Sequence, residues 1–412
     1  MKTDRVILHS DLNAFYCSVE MMLEPELRGK AVAVCGSTEE RHGIVLAKSE
    51  KAKKAGVKTG MAAWQARQKC PELILVPPQY EQYLKYSRLA HEIYYRYTDF
   101  VEPFGMDECW LDVTGSSHGT GPEIAEKIRT SMREELGLTV SIGVSFSKIY
   151  AKLGSDMKKP DAVTVLTREN YREKIWPLPV SDLLYVGRAT DARLQSCGVR
   201  TIGELAALEP ELLRRWFGIN GVKLWQYANG AESARVMHRD FVSPMKSIGH
   251  GITCRTDLVN DDEVWKVLLE LSQDVGHRLR VHGLSARGVQ VWVRENDLYG
   301  EQYQCRLPIR TQLPSELAEA GFRLFRERYS WVNPVRAVCI RAIELESQEN
   351  PEQLSFFIDH SRRDRREKLE ETIESVRGRF GNRALTYAVL MGDLKMPSDG
   401  RELVKMPNPM YA

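Results

Sequence analysis

The sequence predicts an α+β protein of several domains, and three observations carry the prediction. At 412 residues the chain exceeds one ordinary domain. Residues 1–30 and 78–166 alternate strand-like and helical periodicity, and a small basic insertion at 31–77 separates them. Beyond residue 245 the runs follow a strand–helix–strand–strand–helix–strand order, the split βαβ plan.

Composition narrows the function. Basic and acidic side chains nearly balance, 58 against 56, for a formal net charge of +2. A nucleic-acid partner would then depend on where charge is placed, because phosphate contacts act within a screening length of ~8–10 Å. No apolar run is long enough to span a bilayer, and the first residues run straight into a strand rather than a signal segment, so no membrane partner is expected. The 8 Cys are scattered without a CxxC pair, which suits a reducing cytoplasm and argues against structural zinc.

The first element is a strand from Arg5, ending near Asp11, with a helix opening at Phe15-Tyr16. A lone strand-end Asp commonly caps the following helix. A second motif makes more of it. Met106-Asp107-Glu108-Cys109-Trp110-Leu111-Asp112-Val113, set between Pro103-Phe104-Gly105 and Thr114-Gly115-Ser116, reads as a buried hairpin. Burying ionised carboxylates costs several kcal/mol each unless a cation or donor offsets the charge. Asp107 and Glu108 thus point to a divalent-metal seat, the alternative being a turn acid beside a solvated strand acid. Three carboxylates from two strand ends suit paired Mg²⁺ ions, which prefer hard oxygen ligands.

With these motifs in order, the chain resembles the Y-family (translesion) DNA polymerases, in particular the bacterial DNA polymerase IV-like branch, over roughly its first 360 residues. The resemblance implies a right-hand polymerase: palm at 1–30 and 78–166, fingers at 31–77, helical thumb at 167–233, linker at 234–245 and little finger at 246–346. It implies Asp11, Asp107 and Glu108 as catalytic, metal-binding carboxylates, with the Leu12 carbonyl as a further ligand. Two Mg²⁺ ions (or Mn²⁺), primer–template DNA and dNTP would be the cofactors and substrates of a low-fidelity monomer without proofreading. Tyr16 matches the steric gate that clashes with a 2′-hydroxyl, and Phe15 the neighbour lining the nucleotide site. Asn13 stands where many relatives carry Asp, at a position that is not a metal ligand in the family.

Ser141 to Lys152 continues through Leu153-Gly154-Ser155-Asp156-Met157-Lys158-Lys159-Pro160 as the family's strand, helix and Lys-Pro turn. Lys159 there contacts the triphosphate as a point charge, unless it is only a solvated helix end. Lys148 and Lys152 on the same helix are candidate DNA contacts. In the fingers, the family's Tyr and Arg, three apart on one helix face, grip the phosphates. This chain has Glu50 and Lys53 instead. Lys53 is expected to keep the charge without the guanidinium fork. Glu50 cannot donate, and Lys48 or Lys51 remain open as substitutes.

Tyr80, Tyr83, Tyr86, Tyr94, Tyr95 and Tyr97 fall on one helical stretch, read as core and groove packing. The thumb's Gly187 and Gly218 lie in Gly-rich turns between helices. The first turn looks like a helix-hairpin-helix, whose amides hold a DNA phosphate without reading bases; an ordinary αα turn is the alternative. A polar linker with Arg235, His238, Arg239 and Pro244 follows. The little-finger strands are expected near 248–255, 286–294, 303–310 and 334–343, with helices at 263–281 and 314–329. Lys246, Ser247, His250, Arg287 and Arg294 are candidate DNA-backbone contacts.

At 347–360, Gln353-Leu354-Ser355-Phe356-Phe357 resembles the bacterial sliding-clamp peptide, whose apolar anchors fill pockets while Gln bonds the rim. A short strand packing back on the little finger is the alternative. Residues 361–379 read as a charged helix with a narrow apolar stripe of Leu369, Ile373 and Val376, and the rest to 412 as an irregular tail of unassigned function. Two rival functions remain: a nucleotidyl cyclase, which has no use for a DNA-phosphate turn or clamp peptide, and a clamp-recruited scaffold, which has no need of the three carboxylates.

Overall fold

The computed structural model describes residues 4–351 and 359–397, apart from Thr38, Glu40, His42 and Asn382. Gln353, Leu354, Phe356 and Phe357 of the expected clamp peptide lie outside the described residues. The chain forms two compact units that divide between Ser243 and Pro244.

The first unit starts with β1 (Ile7–Leu12), a strand buried along its whole length, and α1 (Phe15–Leu23). The insertion then adds β2 (Val32–Cys35), β3 (Val45–Lys48), α2 (Glu50–Lys54), α3 (Ala63–Lys69) and β4 (Ile74–Val76). Its own sheet has the order β3-β2-β4, with β4 parallel to β2. Ser49 stops β3 and starts α2 by accepting from the Ala52 amide at 3.3 Å. The chain returns as α4 (Tyr80–Tyr95), β5 (Val101–Pro103), β6 (Glu108–Asp112), α5 (Gly121–Leu136), β7 (Val140–Ser145), α6 (Lys148–Met157) and β8 (Val163–Val165). Tyr97 falls beyond the end of α4.

The main sheet has the order β5-β6-β1-β7-β8, which puts the N-terminal strand at its centre. Ile142 and Val144 turn toward the cluster that holds Tyr83, Ile93, Tyr94, Ile128 and Met132 of α4 and α5. Gly143, between them, faces the other way, where an added Cβ would lie 1.9 Å from the Ala151 carbonyl. Only glycine lets α6 settle on the backbone of β7. That approach fixes the helix that carries Lys152.

Five short helices follow: α7 (Tyr171–Ile175), α8 (Arg188–Ser196), α9 (Ile202–Ala206), α10 (Pro210–Phe217) and α11 (Ile219–Ala228). Their core includes Phe146, Ile149, Tyr150 and Leu153, so the helical region shares its interior with α6. The expected linker is in part a strap on the palm. Val236 is buried with Ile7, Trp110 and Ala151, the Met237 amide donates to Glu102 at 2.9 Å, and Arg239 N–H donates to the Asp99 carbonyl at 2.9 Å. One apolar side chain in a polar run, with two backbone donors just after it, suffices to dock it.

The second unit comprises β9 (Ser247–Leu258), α12 (Asp261–Val281), β10 (Leu284–Glu295), β11 (Gly300–Thr311), α13 (Pro314–Arg328) and β12 (Val335–Ser347), close to the expected runs. The sheet order is β11-β10-β12-β9. Both βαβ crossovers are split, the first by β12 and the second by β10. The two helices cover one face with a core of Val264, Leu268, Leu271, Val275, Leu317 and Phe325.

The C-terminal segment differs from expectation. α14 (His360–Phe380) is held largely by polar contacts, for of its apolar stripe Leu369 is 58% exposed and Ile373 and Val376 are only half-buried. Glu374 meets His277 and, at 2.8 Å, Arg280; Arg377 donates to Gln273 at 3.1 Å. Three apolar residues in so charged a helix make too narrow a stripe to bury. The described part of the tail, to residue 397, packs on the second unit: Leu390, Leu394 and Met396 are buried in its core, and Lys395 pairs with Glu263 at 2.7 Å. No helix among the described residues is long and apolar enough to cross a membrane.

Candidate active site

Register brings the carboxylates together. Asp11 is the direct partner of Glu108 across the β1–β6 ladder, and the Leu12 amide donates to the Asp107 carbonyl at 2.9 Å. The three acids therefore gather where β1 ends and the β5–β6 hairpin turns. Asp11 caps nothing, since Ala14 in a left-handed conformation precedes α1.

They border a cleft of about 380 Å³ lined also by Leu12, Phe15, Tyr16, Lys48, Thr59 and Lys159. Lys152 Nζ lies 2.8 Å from Glu108 and 3.2 Å from Asp11, and Lys159 Nζ 2.7 Å from Asp11. Asp156 accepts from both lysines, at 3.3 and 2.9 Å. His9, fully buried, sits with Nε2 3.2 Å from Glu108 and Nδ1 2.9 Å from the Ser155 hydroxyl.

The electrostatics divide the acids. Burial raises Glu108, but His9 and Lys152 outweigh it and hold the carboxyl below its ordinary range. Asp107 has no cation in contact, and Lys152 lowers it only weakly. Burial first, then the charges of Glu108 and Asp11, push it up to about 7. The carboxylates of Glu108, Asp11 and Asp156 raise the Lys152 ammonium against the opposing effect of burial. Among the described residues no three His, Cys, Asp or Glu side chains stand ready in metal-ligating geometry. Yet two ammonium groups rest where cations would, and no cation contacts Asp107, so a hard-oxygen donor set that takes divalent cations fits these residues.

The approach to the cleft is ordered by neighbours. Tyr16 stacks on Tyr83 with ring centroids 4.1 Å apart and 8° between planes. Asn13 is buried and structural: its Oδ1 accepts from the Asp161 amide at 2.8 Å and its Nδ2 donates to Ser141 at 3.0 Å, which pins the turn after Lys159.

Two family models match the chain. The impB/mucB/samB family covers residues 10–156, and the impB/mucB/samB family C-terminal domain covers residues 245–356. A DNA polymerase IV of Acetivibrio thermocellus is 47% identical over 94% of this chain and 98% of its own length. A DNA polymerase IV of Bacillus subtilis is 35% identical over 92% of each. This chain belongs to the Y family of DNA polymerases, in the DNA polymerase IV branch. It is a DNA-directed DNA polymerase of the translesion class, and membership carries a general need for a divalent metal. In fold, a Y-family DNA polymerase chimera superposes with a TM-score of 0.74 at 23% identity, over 83% of this chain and 99% of the chimera.

Several residues of this polymerase stand elsewhere than the sequence suggested. Lys148 and Lys152 are not outward DNA contacts. Lys148 is turned onto Glu102 at 2.6 Å and over the Trp110 ring, and Lys152 onto Glu108 and Asp11, because α6 presses that face to the sheet. Lys53 does not line the cleft; it extends into solvent 3.6 Å from Glu50. Lys48 lines it instead, one strand position before the α2 cap, with Nζ 3.1 Å from the Thr59 hydroxyl. Gly187 begins α8 with open space around it, and Gly218, at φ 62°, begins α11. In the second unit Lys246 and Arg294 are exposed, and Arg287 donates to Glu346 at 2.7 Å. The sequence reading missed His9, Thr59 and Glu20. Only His9 carried a usable signal, since its alternation along β1 puts it on the same face as Asp11.

Proposed function

We infer that nucleotidyl transfer runs on two Mg²⁺ ions, with Mn²⁺ as a substitute, held by Asp11, Asp107, Glu108 and the Leu12 carbonyl. When bound, the ions lower the pKa of the primer 3′-hydroxyl and neutralise the triphosphate as pyrophosphate leaves. The observation that carries the reading is the register pairing of Asp11 with Glu108, with Asp107 beside them on one cleft.

The chain's own groups do the remainder. Lys159 and Lys48 reach the cleft from opposite elements and bind the triphosphate oxygens as point charges. Lys152 and Lys159, which pair with Asp11 and Glu108, would turn to phosphate if those carboxylates held the ions. Phe15 and Tyr16 form the floor under the incoming sugar, where Tyr16 excludes a 2′-hydroxyl by clash. The open N-terminus of α8 at Gly187, and that of α11 at Gly218, hold DNA phosphates without reading bases.

In the little finger the helix-free face presents Gln290, Trp292, Arg294 and Arg341 from adjacent strands, beside Lys246 and Arg287. These contact the duplex backbone. Gln353, Leu354, Phe356 and Phe357 recruit a bacterial sliding clamp in the cytoplasm. Asp107→Ala and Glu108→Ala should each abolish primer extension while primer–template affinity stays near wild type, because metal ligands serve chemistry and backbone contacts supply affinity. Extension at wild-type rate by either variant refutes the metal assignment.

A further inference from the structure

We propose that Glu20 is the positioning residue of the sugar gate and acts on it through Tyr83. The inference rests on Tyr16 being that gate. Tyr16 and Glu20 are four residues apart on α1 and so share one helix face. Tyr83 of α4 lies across that face and is completely buried. Its ring stacks on Tyr16, and its phenol donates to Glu20 Oε1. Gln79, which leads into α4, donates to the other oxygen, Oε2, at 2.7 Å. Tyr80 closes the cluster edge-on, 6.2 Å from Tyr16 and 5.9 Å from Tyr83.

Glu20 is 1% exposed, and it is absent from the cleft lining. A carboxylate in so dry a place is retained only with its oxygens satisfied, and both are satisfied from the start of α4. One side chain thus fixes the register of α1 against α4, at the point where Tyr83 backs the gate. A gate that works by clash must be stiff. A ring that can yield by a fraction of an ångström admits the hydroxyl it is meant to exclude. Tyr83 is the wall behind Tyr16, and Glu20 holds the wall's far edge.

Sugar selectivity separates this role from a purely structural one. Partial unfolding removes active molecules and lowers dNTP and rNTP insertion alike, whereas a displaced gate changes their ratio. The experiment is single-nucleotide insertion of a dNTP and the matching rNTP by the full chain, for Glu20→Ala, Glu20→Gln, Tyr83→Leu and Tyr16→Ala. Tyr16→Ala should lower the dNTP/rNTP ratio of kcat/KM by about a hundredfold or more. Glu20→Ala and Tyr83→Leu should lower it by about tenfold, chiefly through a lower KM for the rNTP. Glu20→Gln keeps an acceptor for the Tyr83 phenol, Gln79 can turn its amide to match, and the ratio should stay within about threefold of wild type.

A wild-type ratio in folded Glu20→Ala, beside a relaxed Tyr16→Ala, overturns the proposal. If Glu20→Ala does not fold, a wild-type ratio in Tyr83→Leu overturns it. A wild-type ratio in Tyr16→Ala removes the gate reading itself, and this inference with it.

Discussion

Replacing Lys48 with Ala should weaken dNTP binding far more than replacing Lys53. Lys48 ends β3, lines the cleft, and has its ammonium lowered by burial first and by the charge of Lys53 next. A triphosphate beside it relieves both effects. At 4 Å and an effective dielectric of ~20, one unit charge against one phosphate charge is about 4 kcal/mol. Water that enters the vacated space recovers part of this, leaving about 1.5–3 kcal/mol, the usual worth of a charged hydrogen bond. That is about a 10- to 150-fold rise in KM for dNTP. Lys53, half exposed and 3.6 Å from Glu50, resembles a surface ion pair, so Lys53→Ala should change KM by less than about fivefold. Steady-state single-nucleotide insertion over a dNTP titration measures both. The reasoning is refuted if Lys53→Ala raises KM by tens of fold while Lys48→Ala leaves it unchanged.

Leu394→Ala should destabilise the little finger by about 2–5 kcal/mol, as for other buried leucines; a thermal midpoint equal to wild type would show that the tail contributes nothing to that core. Glu374 is held down to about 2 from an ordinary 4.5, chiefly by His277, then against burial by Arg280. A folded-state value below the unfolded one gives stability that is present above about 4.5 and lost as pH falls toward about 2. Melting curves of Glu374→Gln should therefore vary less with pH than wild type in that window, and parallel curves would count against a stabilising role for the Glu374 contacts with His277 and Arg280. Phe356→Ala combined with Phe357→Ala should cut clamp affinity by about a thousandfold, from about 2 kcal/mol per aromatic anchor. Clamp-free insertion should be spared, and unchanged clamp binding would rule the peptide out.

What could be read from the sequence was local, or carried by spacing. The Asp11 and Asp107-Glu108 motifs lie on strands whose alternation is plain, and pairing β1 with β6 needs only that both be buried. The little-finger strands and helices could be read for the same reason. Side-chain direction on α6 could not. Lys148 and Lys152 are ordinary basic residues until Gly143 is seen to admit the helix onto the sheet, which turns them inward. The family resemblance likewise set Lys53 opposite the family's Arg, but one solvent-facing turn decides whether an ammonium reaches a cleft, and no resemblance in sequence reports that. Glu20 was overlooked because its partners, Gln79 and Tyr83, are some sixty residues away.

The fingers begin and end side by side. Val32 is in parallel register with Ile74, so the chain enters and leaves this segment on neighbouring strands of one small sheet. An insertion whose two ends coincide can be exchanged as a cassette, with two closely placed junctions and no rethreading of the palm. Lys48 and Thr59 of the cleft sit inside the cassette, while the three acids and Lys159 sit outside it. Substitutions such as Glu50 and Lys53 can therefore accumulate in one module while the chemistry is conserved in the other. Grafting residues 31–77 from a relative that carries Tyr and Arg there is a direct way to transplant nucleotide affinity alone.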